Sequence, residues 1–452
     1  MNDSTAMRVS SSLGEKLCAY VEESRPRLVG MVQDLVRIPS ENTPPTGNEQ
    51  ACQEYIAGAL CKLGWAPELY RPIDIPGIEE HPLFWKGRDY SNRSNLGARR
   101  KGTGGGRSLV LSGHIDTVPA GTQPWTRDPF SGHVEDNRIY GRGSNDMKGG
   151  VATNLFVVEA IDMLGLRLRG DLVFETVVDE EFGGVNGTLA GRLKGYNADA
   201  AVISEPSWLR VCPAQRGGRT AHITLEVDPS GGILTEGAFP VGVADQLRHF
   251  LTKLQDFAEH RRVKAKVHDY YKHHVDPVPV SITKIFTGPW GTKEPITVPD
   301  KCRIEMYWQA MPGETQEEIE REFWEWFNAI VAAAPQLFHR KPRVDFPIRW
   351  LPGSFVLKDE PLVHELAACA EAVLGKEPPI VGIEGPCDMY IFHQAFGIPA
   401  VLWGAKGGNT HAADEYLDID SVMAAAKTLL LFVCRWCGVE RTNQRRVSEP
   451  RP

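Results

Sequence analysis

Three consecutive acids, Asp179-Glu180-Glu181, follow an apolar run from Leu172 to Val178 and precede Gly183-Gly184, where a buried strand runs out into a loop. Ionised carboxylates at such a place are costly unless something cationic holds them. Adjacent side chains on extended backbone point to opposite sides, so Glu180 and Glu181 do not serve one partner in the same way. The triplet reads as one metal ligand plus one carboxylate left to carry a proton. The plain alternative is a solvated loop after a strand.

Four other segments break that balance. They are Ser112-Gly-His114-Ile-Asp116-Thr-Val-Pro119, Gly141-Arg-Gly143-Ser-Asn-Asp146-Met-Lys-Gly149-Gly150, Ser204-Glu205-Pro206 and Gly408-Asn-Thr-His411-Ala-Ala-Asp-Glu415-Tyr416. Each falls at an expected strand end, where open α/β sheets place their ligand sites. One such motif alone is weak; two imidazoles and several carboxylates on one sheet edge predict a metal site. Gly141-Arg-Gly143 lacks the spacing of a dinucleotide fingerprint, and Ser144 and Ser204 lack a paired base, which excludes those two chemistries.

The elements that must position these residues alternate in type. Apolar positions at helical spacing mark helices over 14–38 and 47–64, and the Gly-, Arg- and Pro-rich stretch 71–106 reads as a long surface loop. Strands at 109–112, 171–178 and 200–203 then alternate with helices near 151–164 and 187–193, which predicts a mostly parallel sheet with helices on both faces. After Glu205-Pro206 the order becomes β-α-β-β-α-β, a split-βαβ, ferredoxin-like unit, with the last strand expected over 343–350. The α/β pattern resumes with helices over 361–374, 389–396 and 419–434. The fold class expected is therefore α/β, with residues 1–214 and 351–452 forming one catalytic domain and residues 215–350 inserted as a smaller α+β domain.

Whole-chain properties narrow the classes. At 452 residues, 42% hydrophobic and 24% charged with a net charge of −8, the composition is that of an ordinary soluble protein and not of a nucleic-acid binder. The polar stretch Met1–Glu15 has no apolar signal core, and Leu429–Cys434 is too short to span a bilayer. Nine cysteines without framework spacing point to a reducing compartment, taken as the cytoplasm. Cys434-Arg-Trp-Cys437 reads as packed thiols in a helix, and the basic run Arg441–Arg446 as part of a frayed tail.

On SGHIDTVP, GRGSNDMKGG, DEEFGG, SEP and the late His411, nearly the whole chain resembles the zinc metallopeptidase and deacylase family that includes acetylornithine deacetylase, succinyl-diaminopimelate desuccinylase, carboxypeptidase G and aminoacylase. The resemblance implies a zinc-exopeptidase-like fold and two zinc ions, with cobalt or manganese as alternatives. Asp146 would bridge them, His114 and Glu205 completing one site, Glu181 and His411 the other. Glu180 would be the general base, Asp116 would orient the His114 imidazole, and the Asp146-Met147 peptide would be cis. It also implies a homodimer formed through the inserted domain, which acts as a lid, and a small-molecule substrate.

The chain departs from the family's pattern in that domain. The stretch Gly232–Gly242 has no histidine where relatives send one toward the partner's active site to stabilise the oxyanion; His222 reads as a strand residue, and His273 and His274 as a polar loop. Gln309 stands where many relatives carry an Arg before Pro312-Gly313, and Met389 and Tyr390 follow Asp388. Neither Gln nor Tyr replaces a guanidinium that clamps a carboxylate, which leaves Arg216, Arg219 or Lys406 for that task. Together with Trp85, Tyr90, Trp290 and Trp403, this predicts a hydrolase cleaving the C–N bond of an acylated amine with an aromatic or heterocyclic part. The alternatives are a dipeptidase or carboxypeptidase of the same family, or a non-catalytic zinc-binding homologue.

Overall fold

Four parallel strands, Ala400–Leu402, Ala201–Ile203, Leu109–His114 and Leu172–Val177, lie side by side in that order. All are fully buried, as expected of continuous apolar runs covered on both faces. The strands Asn95–Arg100 and Glu68–Tyr70 extend the sheet antiparallel. The computed structural model describes residues 11–183, 186–228, 241–288, 291, 293–294 and 298–440. Gly184, Trp290, the segment 232–240 of the missing histidine, and the basic tail from Arg441 all lie outside the described residues.

The chain divides into two compact units. One takes the residues up to Pro213, Val356–Ile380 and those from Ile391; the other takes Ala214–Phe355 and Val381–Tyr390. In the first, the helix Gly149–Met163 is buried along most of its length, and a Cβ on Gly150 would lie 2.0 Å from the Ser204 carbonyl oxygen. Only glycine lets that helix start so close to the strand end that carries Glu205. The second unit holds an antiparallel sheet of Val280–Phe286, Lys301–Ala310, Gly217–Glu226 and Arg343–Asp345, in chain order the second, third, first and fourth strands. Its helices Val243–Lys264 and Gln316–Ala332 share a core of Phe250, Phe257, Trp308, Phe323 and Phe327, and Thr315 and Glu318 cap the second helix reciprocally.

Four expectations change. The helix over 14–38 is two helices, Ser11–Glu23 and Arg25–Arg37, because Pro26 fits a helix's first turn and not its interior. The loop over 71–106 contains the strand Asn95–Arg100, whose Gly97 passes against Tyr196; a Cβ there would come within 2.3 Å of the ring. The last strand of the second unit stops at Asp345, since Pro347 cannot donate to a ladder. The helix over 389–396 is a single wide turn, Ile391–Ala395. Among the described residues, no helix is long and apolar enough to cross a membrane. Cys434 and Cys437 lie buried in the helix Ile419–Cys437, and burial pushes the Cys434 thiol up to about 12, so neither is poised to react.

Candidate metal centre

Register alone brings two of the expected ligands together. Ser112 pairs with Glu175 on one side and Ile203 on the other, so two residues further along the chains His114 stands level with Val177 and Glu205. The acid triplet begins just past Val177, at the same edge of the sheet. Asp146 arrives from the turn Ser144–Lys148 in front of the long buried helix, with a cis Asp146-Met147 peptide. His411 comes from a loop in which Asn409, His411 and Asp414 all have positive φ.

All six side chains converge. The two oxygens of Asp146 face different imidazoles: Oδ1 lies 3.1 Å from His114 Nε2 and Oδ2 lies 3.4 Å from His411 Nε2. His114 Nε2 is also 3.7 Å from Glu205 Oε1 and 4.0 Å from Glu180 Oε2, while His411 Nε2 is 2.9 Å from Glu181 Oε2. Ligand atoms of His114, Glu180 and Glu205, and again of His114, Asp146 and Glu181, lie within 4.8 Å of one another. Imidazole nitrogens and carboxylate oxygens are the donors that zinc and its neighbours in the first transition row accept, so the residues present fit two divalent ions sharing Asp146.

Charge supports that fit. Four carboxylates surround two imidazoles in a largely buried place. Burial alone would lower the imidazole pKa values, yet Glu181 and Asp146 push His411 up to about 11, and Glu205, Asp146 and Glu180 raise His114 well above its usual range. Burial likewise raises Glu181 against the pull of His411, while Asp146, held between both imidazoles, falls far below the carboxylate range despite its burial. Acids crowded around two imidazoles in a buried place favour positive charge there, as protons or as metal ions.

Two groups of Asp116 stand at the His114 imidazole and the acid turn. His114 Nδ1 lies 2.9 Å from the main-chain carbonyl of Asp116, which can only accept, so Nδ1 carries the proton and Nε2 faces the centre. The Asp116 carboxylate is 3.8 Å from that ring; it accepts instead the amides of Glu180 (3.2 Å) and Glu181 (3.1 Å) and the side-chain amide of Asn42 (2.9 Å). It thus holds the amides of the acid turn and stands beside the imidazole at once. Asp179, fully buried, accepts from Tyr90 Oη at 2.7 Å and lies 3.3 Å from Arg88 and 3.5 Å from Arg93.

Glu415 lies in the motif around His411, and its role is visible only in three dimensions. Its buried carboxylate accepts the amides of Gly143, Asn145 and Asp146, each at 3.0 Å, and is paired with Arg142 at 2.6 Å. Lys148, also buried, donates to the carbonyls of Leu35 (3.0 Å) and Ile38 (2.6 Å), tying the other end of the same turn to the end of a helix. Glu415→Gln replaces one acceptor oxygen with a donor facing main-chain N–H groups. It is expected to weaken metal binding by about 10–100-fold, the usual cost of losing an outer partner, which titration of the apoprotein with zinc would read.

Residues 110–435 match the profile of peptidase family M20/M25/M40. The chain belongs to this family. It is 28% identical over 454 residues to the N-formyl-4-amino-5-aminomethyl-2-methylpyrimidine deformylase of Halalkalibacterium halodurans, covering 95% of this chain and 99% of that one. It is 25% identical over 448 residues to the deformylase of the same description from Bacillus subtilis, covering 92% and 96%. Among solved structures, human carnosine dipeptidase 1 superposes with a TM-score of 0.76 at 17% identity over 94% of this chain and 99% of that one, a likeness of fold. The chain is thus a mixed α/β hydrolase of the M20 family, and six convergent side chains form its candidate metal centre.

Proposed function

We propose that this M20 hydrolase uses two zinc ions to remove a small acyl group, formyl first among candidates, from an exocyclic amine on a nitrogen heterocycle. The observation that carries the chemistry is Asp146 offering one oxygen toward each imidazole, with the Glu180 carboxylate 4.0 Å from His114. His114, Glu205, Glu181 and His411 would hold the ions with Asp146. Bound there, they would polarise the amide carbonyl and favour ionisation of water. Glu180 takes the proton of the attacking water and delivers it to the departing nitrogen as the C–N bond breaks, leaving a carboxylate and an amine. Asp116 keeps the Glu180 main chain in place while this proton moves.

Two things support the heterocyclic reading. The end-to-end relatives at 28% and 25% identity share one named activity on an aminopyrimidine. In addition, the arginines that could have clamped a substrate carboxylate are engaged inside the second unit. Arg216 donates to Gln309 Oε1 (2.5 Å) and to the Asp276 carbonyl (3.2 Å) and meets His274 Nδ1 at 2.9 Å; Arg219 holds Glu320 (2.6 Å) and the Ile348 carbonyl (2.8 Å). His274, half-buried in its loop, is a partner of Arg216, and His222 is a strand residue paired with Glu305. Of the aromatics, Trp403 is in the core with its indole N–H on the Ala425 carbonyl, and Tyr90 is committed to Asp179. The test is release of formate from N-formyl-4-amino-5-aminomethyl-2-methylpyrimidine beside release of acetate from N-acetylornithine and cleavage of dipeptides. Preference for either of the latter by tenfold or more in kcat/KM would remove this substrate class.

The same reading includes a cytoplasmic homodimer formed through the second unit. Its edge strand Val280–Phe286 leaves Ile285 and Phe286 exposed, the kind of apolar edge that proteins pair or cover. Sedimentation of the purified protein is expected to give two chains per particle and Phe286→Arg to shift it toward one; a wild-type monomer at micromolar concentration would set the dimer aside.

A further inference from the structure

The chain between the strands Glu68–Tyr70 and Asn95–Arg100 has no part in the chemistry above, yet it sends several side chains to the acid turn. Asn186 brackets Trp85, its Oδ1 accepting the Trp85 amide at 2.9 Å and its Nδ2 donating to the Trp85 carbonyl at 2.7 Å. Tyr90 donates to Asp179, and Arg93 holds Glu49 while lying 3.5 Å from the same aspartate. Arg88 does most. Its Nε forms an ion pair with Asp179 Oδ1 at 3.3 Å without hydrogen-bond geometry, its Nη2 donates to the Phe182 carbonyl at 3.3 Å, and its guanidinium carbon sits 4.1 Å over the Trp85 ring. The Arg88 side chain is 4% exposed.

One rigid group therefore touches the residue just before Glu180 and the residue just after Glu181. Asp179 stands at φ 70°, a region that residues other than glycine seldom enter, so the turn needs outside support to keep its shape. A planar guanidinium can set a close ion pair and a hydrogen bond at once while stacking on an indole; a lysine ammonium cannot span them in the same way.

We propose that Arg88 is a positioning residue for Glu180: by tying Asp179 to the Phe182 carbonyl, its guanidinium fixes where the Glu180 carboxylate stands relative to the reacting centre. This rests on Glu180 as the proton carrier, so the test carries its own control. Formate release, zinc content and amide exchange over residues 179–183 are measured for wild type, Arg88→Ala, Arg88→Lys and Glu180→Gln. Both Arg88 variants are expected to keep two zinc ions per chain and a near-normal KM while kcat falls by about 10–100-fold, the scale of a misplacement near 1 Å. Amide exchange in the turn should quicken, and guanidinium at concentrations that leave the protein folded should restore much of the lost kcat to Arg88→Ala and not to Arg88→Lys.

The proposal is overturned if both variants turn over at the wild-type rate, if their loss tracks loss of zinc, or if guanidinium restores nothing to a folded Arg88→Ala. Should Arg88→Ala fail to fold, Arg88→Lys decides through kcat at full zinc content. An active Glu180→Gln would instead sink the assignment of the base, whereas an inactive Glu180→Gln beside wild-type Arg88 variants would sink only the role of Arg88.

Discussion

Glu180→Gln is expected to lower kcat by about 10²–10⁴-fold, the range that positioned acid–base groups contribute, with two zinc ions still bound and KM little changed. The substitution keeps the size of the side chain and removes its ability to take a proton. Metal retention is expected because the imidazoles meet other acids more closely: His114 meets Asp146 at 3.1 Å and Glu205 at 3.7 Å, and His411 meets Glu181 at 2.9 Å, whereas Glu180 is 4.0 Å from His114. Steady-state kinetics with metal analysis on the same sample separates the two roles. A Gln variant that works at the wild-type rate with full metal would mean another group carries the proton.

Asp146→Asn is expected to have an effect as large by a different route. An amide offers one oxygen where the carboxylate offers two, so the residue that faces both imidazoles can no longer serve two ions alike. Zinc content should fall below two per chain, and kcat by roughly two to four powers of ten, since Lewis-acid stabilisation is worth several kcal/mol and each 1.4 kcal/mol is a factor of ten. The fold should persist, because the turn keeps its anchors: Glu415 on the amides of Gly143, Asn145 and Asp146, and Lys148 on Leu35 and Ile38. Circular dichroism beside metal analysis checks this; an unfolded Asp146→Asn would show that the carboxylate supports the turn itself.

Much of the centre was legible because parallel strands of an α/β sheet end along one edge. His114, the acid triplet and Glu205 each follow a short apolar run, and the register that aligns Ser112 with both Glu175 and Ile203 brings them level. What the sequence concealed are groups whose partners are remote in the chain. Asn42 reaches Asp116 across 74 positions, and Glu415 reaches the Asp146 amide across 269. No local pattern announces a carboxylate that accepts main-chain amides, because its signal lies in the partner's backbone and not in any side chain. The contacts of Asp116 have the same origin: HxD spacing suggests a carboxylate on the imidazole, while the hydrogen bond to the ring goes to the main-chain carbonyl of the same residue. The strand Asn95–Arg100 was hidden by its composition, for Gly97 and two arginines read as loop until Tyr196 packs against the glycine.

The second unit was readable in outline, since long amphipathic helices and strands announce themselves by period. Its buried arginine contacts were not. Gln309 looked like a gap left by a missing arginine, yet its oxygen accepts from Arg216 while its amide donates to the Glu384 carbonyl at 2.8 Å, a built arrangement of its own.

The most direct measurement is activity against zinc content in protein first stripped by a chelator. On this account the stripped protein releases no formate from the N-formyl aminopyrimidine, and the rate rises with added zinc to a plateau at two equivalents per chain. Full turnover by the metal-free protein, or a plateau reached at one equivalent with no second ion bound, would contradict a centre built around the two oxygens of Asp146.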